Sequence, residues 1–365
     1  MSHVTVYPCA SYEGVPAEVE RAFAAYAPPM DGKRVVLKVN LLGPCRPEEH
    51  VTTHPSLVSA AVAACRRRGA AEIVVGDNPG MSSYGSTDHV ARMTGTIEAA
   101  AGCYRNIAEA PRMVEVPTPG VGRVPVSRAV LEADVVIGLA KMKTHVATGI
   151  TGAVKNTFGY VVGAAKTQLH AACPGKEAFA RAVLDVYALR PPDFSIVDAV
   201  YAMEGQGPSG GQPRFVGRLL ASADNVALDA VMARMMGFRP EQIPYLVAAA
   251  ERGLGEIGDD RIHVEGPTDP IPGFRRPKYG QSMGTWGARL VSRIYVTQPQ
   301  ADTDICIKCG ACARQCPVEA IRMDPYPVID AARCISCFCC HEFCKPKAMR
   351  LAPRIRIMKF LRGRK

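Results

Sequence analysis

The chain has 365 residues, 48% of them apolar, and a formal net charge of +10. Its length and apolar content allow a full core in two domains. No uncharged apolar run approaches the roughly 18–20 residues of a helical membrane span. The start, "MSHVTVYPCASYEG", lacks the basic and apolar parts of a secretory signal, so a cytoplasmic protein is expected.

From the N-terminus to about residue 270, strand-like and helix-like patterns alternate. "KRVVLKVN" (33–40), "AEIVVGD" (71–77), "ADVVIGLAK" (133–141) and "DFSIVDAV" (193–200) are short, apolar and β-branched, as strands covered on both faces are. Between them, "HPSLVSAAVAACRRRG" sets Pro55 at a first helical position and Gly69 as a stop. "KEAFARAVLDVYALRPP" and "DNVALDAVMARMMG" read as further helices, the second capped by Asp224. Regular alternation predicts an α/β domain over 1–270, a mostly parallel sheet with helices on both faces.

Parallel sheets bind ligands at the carboxyl ends of their strands, and the unusual polar residues fall there. Lys38 and Asn40 end the first run, and Asp77 and Asn78 the second. Lys141, Lys143 and His145 follow the third, while Asp198 and then Glu204 close the fourth. Only 13 of the 44 basic residues are lysine, yet Lys141, Lys143, Lys155, Lys166 and Lys176 crowd together. A lysine is a compact charge able to hold an anion or move a proton. Solvated surface lysine is the competing reading, and it weighs most for Lys166 and Lys176. In "KTHVATGITGAVKNTFG" (143–159), small residues flank Lys155 and Asn156, and a helix starting near Gly152 would aim its positive end at an anion. Thr52, Thr53 and His54, just before the first long helix, supply one cap and further donors. "EGQGPSGG" (204–211) matches G-x-G-x-x-G, but a strand-like run follows it instead of the helix a dinucleotide site needs. The candidate catalytic set is His145, Lys143 and Asp77. Lys38, Asn40, Asn78, Lys141, Lys155, Asn156, Asp198 and Glu204 are the candidate binding set.

A Pro- and Gly-rich linker over 271–301 follows, and "TWGARLVSRIYVTQP" within it could dock one domain on the other. Residues 302–352 then carry two blocks of Cys-x2-Cys-x2-Cys-x3-Cys: Cys306, Cys309, Cys312, Cys316, then Cys334, Cys337, Cys340, Cys344. This is the run of two-cluster ferredoxins, in which each block's fourth cysteine serves the other block's 4Fe–4S cluster. Cluster one is thus assigned to Cys306, Cys309, Cys312 and Cys344, and cluster two to Cys334, Cys337, Cys340 and Cys316. A zinc site takes four tetrahedral ligands, not eight in this spacing. Cys9, Cys45, Cys65, Cys103 and Cys173 read as small buried hydrophobes, and Cys339 as a neighbour outside the ligand set. The tail, 353–365, holds six basic residues and no acidic one. A solvated end is its simplest reading. Contact with an anionic membrane surface or an acidic partner comes next, and nucleic acid is the weakest.

The stretches "LKVNLL", "TTHPSLVSAAVAACRRRGAAEIVVGDNPG", "ADVVIGLAKMKTH", "GAVKNTFG", "VDAVYAMEGQGPSGG" and "SADNVALDAVMARMMG", all within 35–237, resemble the family called domain of unknown function 362. "KVN" stands where that family's pattern has "KPN". The resemblance implies an iron–sulfur protein of redox character and names no substrate. Residues and resemblance together point to an oxidoreductase whose α/β domain binds a small anion and whose two clusters exchange electrons with it. A flavin or other organic cofactor between them stays open, as does a redox partner protein. The alternatives are an electron-delivery or maturation factor for another metalloprotein and, more weakly, a redox sensor touching nucleic acid through the tail.

Overall fold

A computed structural model describes residues 1–355 except 81, 82, 84, 278–294 and 345; of 295–297, 342, 343 and 353–355 it describes the backbone. The strands are β1 (Ser2–Pro8), β2 (Arg34–Lys38), β3 (Glu72–Gly76), β4 (Arg112–Glu115), β5 (Arg123–Val126), β6 (Val135–His145) and β7 (Gly149–Thr151). They continue with β8 (Phe194–Glu204), β9 (Gln212–Ser222), β10 (Ile262–Glu265), β11 (Tyr295–Ala301), β12 (Ile321–Asp324), β13 (Tyr326–Ile329) and β14 (Met349–Ile355).

The four apolar runs are β2, β3, β6 and β8, and they lie side by side. One eight-stranded sheet has the order β10-β1-β9-β8-β6-β2-β3, with β7 paired to β6 off that path. The block β3-β2-β6-β8 is wholly parallel. β9 runs antiparallel between β8 and β1, and β10 is parallel to β1. The sheet is mixed and mostly parallel, with helices on both faces.

The apolar runs lack alternation because both faces are covered. On one side Val135, Ile137 and Leu139 of β6 join Val35 and Leu37 of β2 under the helices Val15–Tyr26 and Pro55–Arg67. On the other, Val36, Val74 and Val136 meet Phe158, Tyr160 and the helix Lys176–Leu189, while Ala140 and Met142 meet the helix Asn225–Met235. Burying each such side chain contributes about 1.5–3 kcal/mol, so the pattern fixes both faces at once.

Two local features shape the functional edge. The pairing of β6 with β8 jumps from Lys141↔Asp198 to Lys143↔Met203, an irregularity that separates two lysines otherwise one pleat apart. The expected helix near Gly152 exists as Ala153–Asn156, but its free N–H groups are taken. Asp229 accepts from the N–H of Ala153 at 2.6 Å and of Val154 at 3.1 Å. That corrects the sequence expectation: a buried carboxylate, not a ligand, caps this turn.

The C-terminal part pairs β11 with β14 and β12 with β13, both antiparallel. The first residues of the linker lie against the sheet domain, where Phe274 joins the core and Arg275 pairs with Glu204. The docking segment up to residue 294 and the basic tail beyond 355 lie outside the described residues.

Candidate functional site

At the carboxyl ends of β2, β3 and β6 lies a cleft of about 80 Å3. Asn40, Asp77, Asn78, Lys143, His145, Lys155 and Asn156 line it, all named from the sequence, together with Thr151, Lys166 and His170. That volume corresponds to roughly five to eight water-sized spaces. It suits a ligand of a few heavy atoms.

A hydrogen-bonded frame holds the cleft. Lys38 is wholly buried beneath it and directs Nζ to Asp77 (2.7 Å), the carbonyl of Val39 (2.7 Å) and Oδ1 of Asn156 (3.1 Å). Committed to these three partners, Lys38 supports the site instead of lining it. Asp77 also accepts from the N–H of Leu41 at 2.7 Å, which pins both oxygens. Asn156 accepts from Asn40 at 3.1 Å, and Asn40 accepts from Lys143 at 2.8 Å. Gly159 crosses the ion pair so closely that a Cβ there would sit 2.1 Å from Asp77 Oδ1. Only glycine permits that approach.

The cleft carries several charged groups. Among the described residues that line it are Lys143, Lys155, Lys166 and the carboxylate of Asp77, which pairs with Lys38 beneath. Lys166 is held by the carbonyls of Asn78 (2.5 Å) and Pro79 (2.9 Å). Burial, with Lys38 and Lys155 nearby and against the pull of Asp77, lowers its pKa to about 7. His170 is lowered to about 3 by burial and then by Lys155, and it stacks on Phe179 at 3.9 Å. Burial drives His145 well below its usual range, helped by Lys155 and Lys143. Its Nδ1 accepts from the N–H of Ala147 at 3.1 Å and of Thr148 at 3.4 Å, which leaves the proton on Nε2. Two buried oxygens, Asn78 Oδ1 and Thr151 Oγ1, have no hydrogen-bond partner among the described residues. Lysine ammonium groups, neutral imidazoles and such buried oxygens around open space are surroundings that suit a small, partly protonated anion.

Three residues expected in the same set lie elsewhere. Lys141 pairs with Asp198 at 2.8 Å, both wholly buried, on the far side of the register jump. The Tyr12 hydroxyl donates to Asp198 at 3.3 Å, the N–H of His54 at 3.1 Å, and the Tyr12 ring stacks on His54 at 3.4 Å. Glu204 forms a two-point pair with Arg275, at 2.7 and 2.9 Å. Thr53 spends its hydroxyl on the carbonyl of Leu139, and His54 caps the following helix through Ser56 N–H. Lys166 is the residue that sequence reasoning undervalued. Its sole signal was membership in the lysine-rich stretch, since its helix, Ala165–Ala172, gives no sign of which face is covered.

The cysteine segment repeats itself in space as in sequence. Cys306 N–H donates to the carbonyl of Asp302 (3.0 Å), as Cys334 does to Asp330 (2.9 Å). Ala320 N–H donates to Cys316 Sγ and Ala348 N–H to Cys344 Sγ, each at 3.1 Å. Lys308 and Ser336 share a left-handed backbone, as do Glu319 and Lys347. Two small cavities, each about 20 Å3, result. One is lined by Cys306, Cys309, Cys312 and Cys344, the other by Cys316, Cys334, Cys337, Cys340 and also Cys339. Burial raises the thiols of Cys312, Cys334 and Cys340, so a bound cation is needed to make them thiolates. Four sulfurs from two loops around each cavity fit a cubane iron–sulfur group.

The two parts touch at the cleft's rim. Beyond Lys143 and His145, the β6–β7 turn packs Val146 and Ala147 against Phe338 and Leu351 of the cysteine segment. The 205–211 loop, whose Pro208 lines the cleft, accepts Lys347 Nζ on the carbonyl of Ser209 at 2.6 Å.

Fold and cysteine pattern define an α/β protein joined to an iron–sulfur segment of ferredoxin type, and residues 299–322 match the 4Fe-4S binding domain. Residues 35–234 match the domain of unknown function DUF362, and the chain belongs to that family. A thylakoid-associated protein of Synechocystis sp. is 35% identical over 226 residues, covering 61% of this chain and 69% of that one. Among solved structures, the lactate racemase apoprotein from Thermoanaerobacterium thermosaccharolyticum overlaps 65% of this chain and 57% of its own, with TM-score 0.44 and 12% identity. A Thermotoga maritima protein overlaps 59% and 56%, with TM-score 0.35 and 12% identity. The chain thus spans less than two thirds of either solved structure. Among the described residues, no helix is long and apolar enough to cross a membrane.

Proposed function

We propose that the protein is a cytoplasmic iron–sulfur oxidoreductase that exchanges electrons with a small anion bound in the lysine-rich cleft. Two 4Fe–4S groups are held in the crossed pattern, Cys306, Cys309, Cys312 with Cys344, and Cys334, Cys337, Cys340 with Cys316. When bound, they supply one-electron transfer at low potential. The observation that carries the reading is the shared hairpin: the same β6–β7 unit places Lys143 and His145 in the cleft and its turn on the second cysteine loop.

The chain's own residues have distinct roles in this reading. Lys143 and Lys155 bind the anion, while Asn40, Asn78 and Asn156 orient it. Lys38 and Asp77 hold that frame. His145 donates a hydrogen bond from Nε2, where its proton sits. Lys166, with a pKa near neutrality, exchanges the proton. Lys141, Asp198 and Glu204 support the fold.

Anaerobic, dithionite-reduced protein, mixed with small carboxylates and phosphorylated metabolites, is expected to regain its visible absorbance with one class of them. Failure with every fraction of a native extract would overturn the proposal.

A second reading, electron delivery to another protein, is favoured by the exposure of the first cysteine loop, where Ile307 is 68% exposed and Cys309 open to solvent. Stable co-purification of one redox protein without small-molecule turnover would favour it. The thylakoid association in the relative's name, with the basic tail, supports peripheral contact with a membrane surface in either case.

A further inference from the structure

The two cysteine blocks, "CIKCGACARQC" and "CISCFCCHEFC", can be compared position by position because their backbones repeat. The residue after each second cysteine is left-handed in both, Gly310 at φ 69° and Phe338 at φ 62°. Glycine is what such a position favours, and an aromatic residue there is sterically disfavoured. Phe338 is nonetheless in place and only 5% exposed, packed on Val146, Ala147 and Leu351. Among the described residues, a Cβ on Gly310 in the first loop would meet Arg314 alone.

A second difference points the same way. Where the first block has Ala313, the second has His341. Its Nδ1 lies 2.6 Å from the carbonyl of Met349, and its buried Nε2 has no hydrogen-bond partner among the described residues. Its ring is 3.5 Å from where a Cβ on Gly210 would be. The first block differs in the opposite sense: Ile307 and Cys309 are exposed, while their counterparts Ile335 and Cys337 are half-buried.

We infer that the halves of the repeat have divided the work. The second loop is the inward face, with Phe338 the positioning residue that holds its metal group against the wall of the anion cleft. The first loop is the outward face, which a redox partner meets. The part concerning the cleft rests on the function proposed above; the orientation of the loops does not.

Both parts are testable by electron paramagnetic resonance on reduced, anaerobically purified full-length protein. A soluble dysprosium complex is expected to speed relaxation of the first-loop signal, identified by its loss or change in Cys309→Ser, several-fold more than that of the second. Equal or reversed enhancement overturns the orientation. Sulfate, as a probe anion whose binding is followed by calorimetry, is expected to shift only the second-loop signal. Phe338→Gly suits the left-handed backbone, so it should keep the fold and sulfate affinity while abolishing that shift. Phe338→Leu, which retains apolar bulk, should preserve part of it. Bound sulfate with an unaltered shift in Phe338→Gly overturns the role of Phe338. No sulfate binding to the unmodified protein would instead sink the cleft's assignment, with the dysprosium result still deciding the orientation.

Discussion

Lys141 and Lys143 are both buried two residues apart on β6, and their surroundings are built on opposite principles. Around Lys141 everything is matched: one ammonium, one carboxylate of Asp198, the Tyr12 hydroxyl and a backbone N–H, closed by stacked rings. The cleft that Lys143 shares with Lys155 and Lys166 holds open volume and buried oxygens with no hydrogen-bond partner among the described residues. Burial of a lysine at a strand end therefore does not mark a ligand site. Burial beside open space lined by unsatisfied polar atoms does.

The largest expected effect is on the matched group. Lys141→Met leaves the Asp198 carboxylate buried without a cation, and such a break costs about 3–5 kcal/mol. Chemical denaturation should show that loss, and a change below about 1 kcal/mol would erase the contrast. In the cleft the order of effects is reversed. Lys155→Met is expected to reduce sulfate affinity by about ten- to hundredfold, as losing a charged hydrogen bond does, with little loss of stability. Calorimetry and melting on the same samples measure both quantities.

A finer test uses pH. Lys166 has its pKa lowered to about 7 from an ordinary 10.5, so its cationic form is full only below neutrality. Sulfate affinity should be highest below pH 7 and fall about tenfold per unit above it. Lys166→Met should flatten that profile. The sign for unliganded stability is opposite. Between about 7 and 10.5 the unfolded chain holds a proton that the folded one lacks, so Lys166 makes stability rise with pH there. A sulfate profile rising with pH would contradict the assignment. Smallest of all, removing residues 356–365 should leave stability and sulfate affinity within about 0.5 kcal/mol, while weakening retention on anionic vesicles.

How much of this was legible in the sequence differs by region for physical reasons. The cysteine blocks are local in sequence, so spacing alone conveys which sulfurs meet, including the exchange of Cys316 and Cys344. The four parallel strands were legible because unbroken apolar runs have few other uses. The sheet order was not, since β1, β9 and β10 join through long-range pairing. The site divides in the same way. Lys143 and Asp77 converge as strand ends do, and Lys155 and Asn156 join them from the short helix after β7, but Lys141 is diverted by a register jump between β6 and β8 that pattern does not encode. Lys166 was hidden because a helix of eight residues discloses no buried face. Asp229, which takes the helix end once assigned to a ligand, comes from a helix more than seventy residues away.

Anomalous scattering at the iron edge, from crystals grown anaerobically with sulfate, addresses the whole account at once. Two iron peaks are expected within the cysteine segment, one of them beside Phe338, with sulfate density between Lys143, Lys155 and Lys166. Zinc in place of iron, or sulfate bound elsewhere with that cleft holding only water, would contradict it.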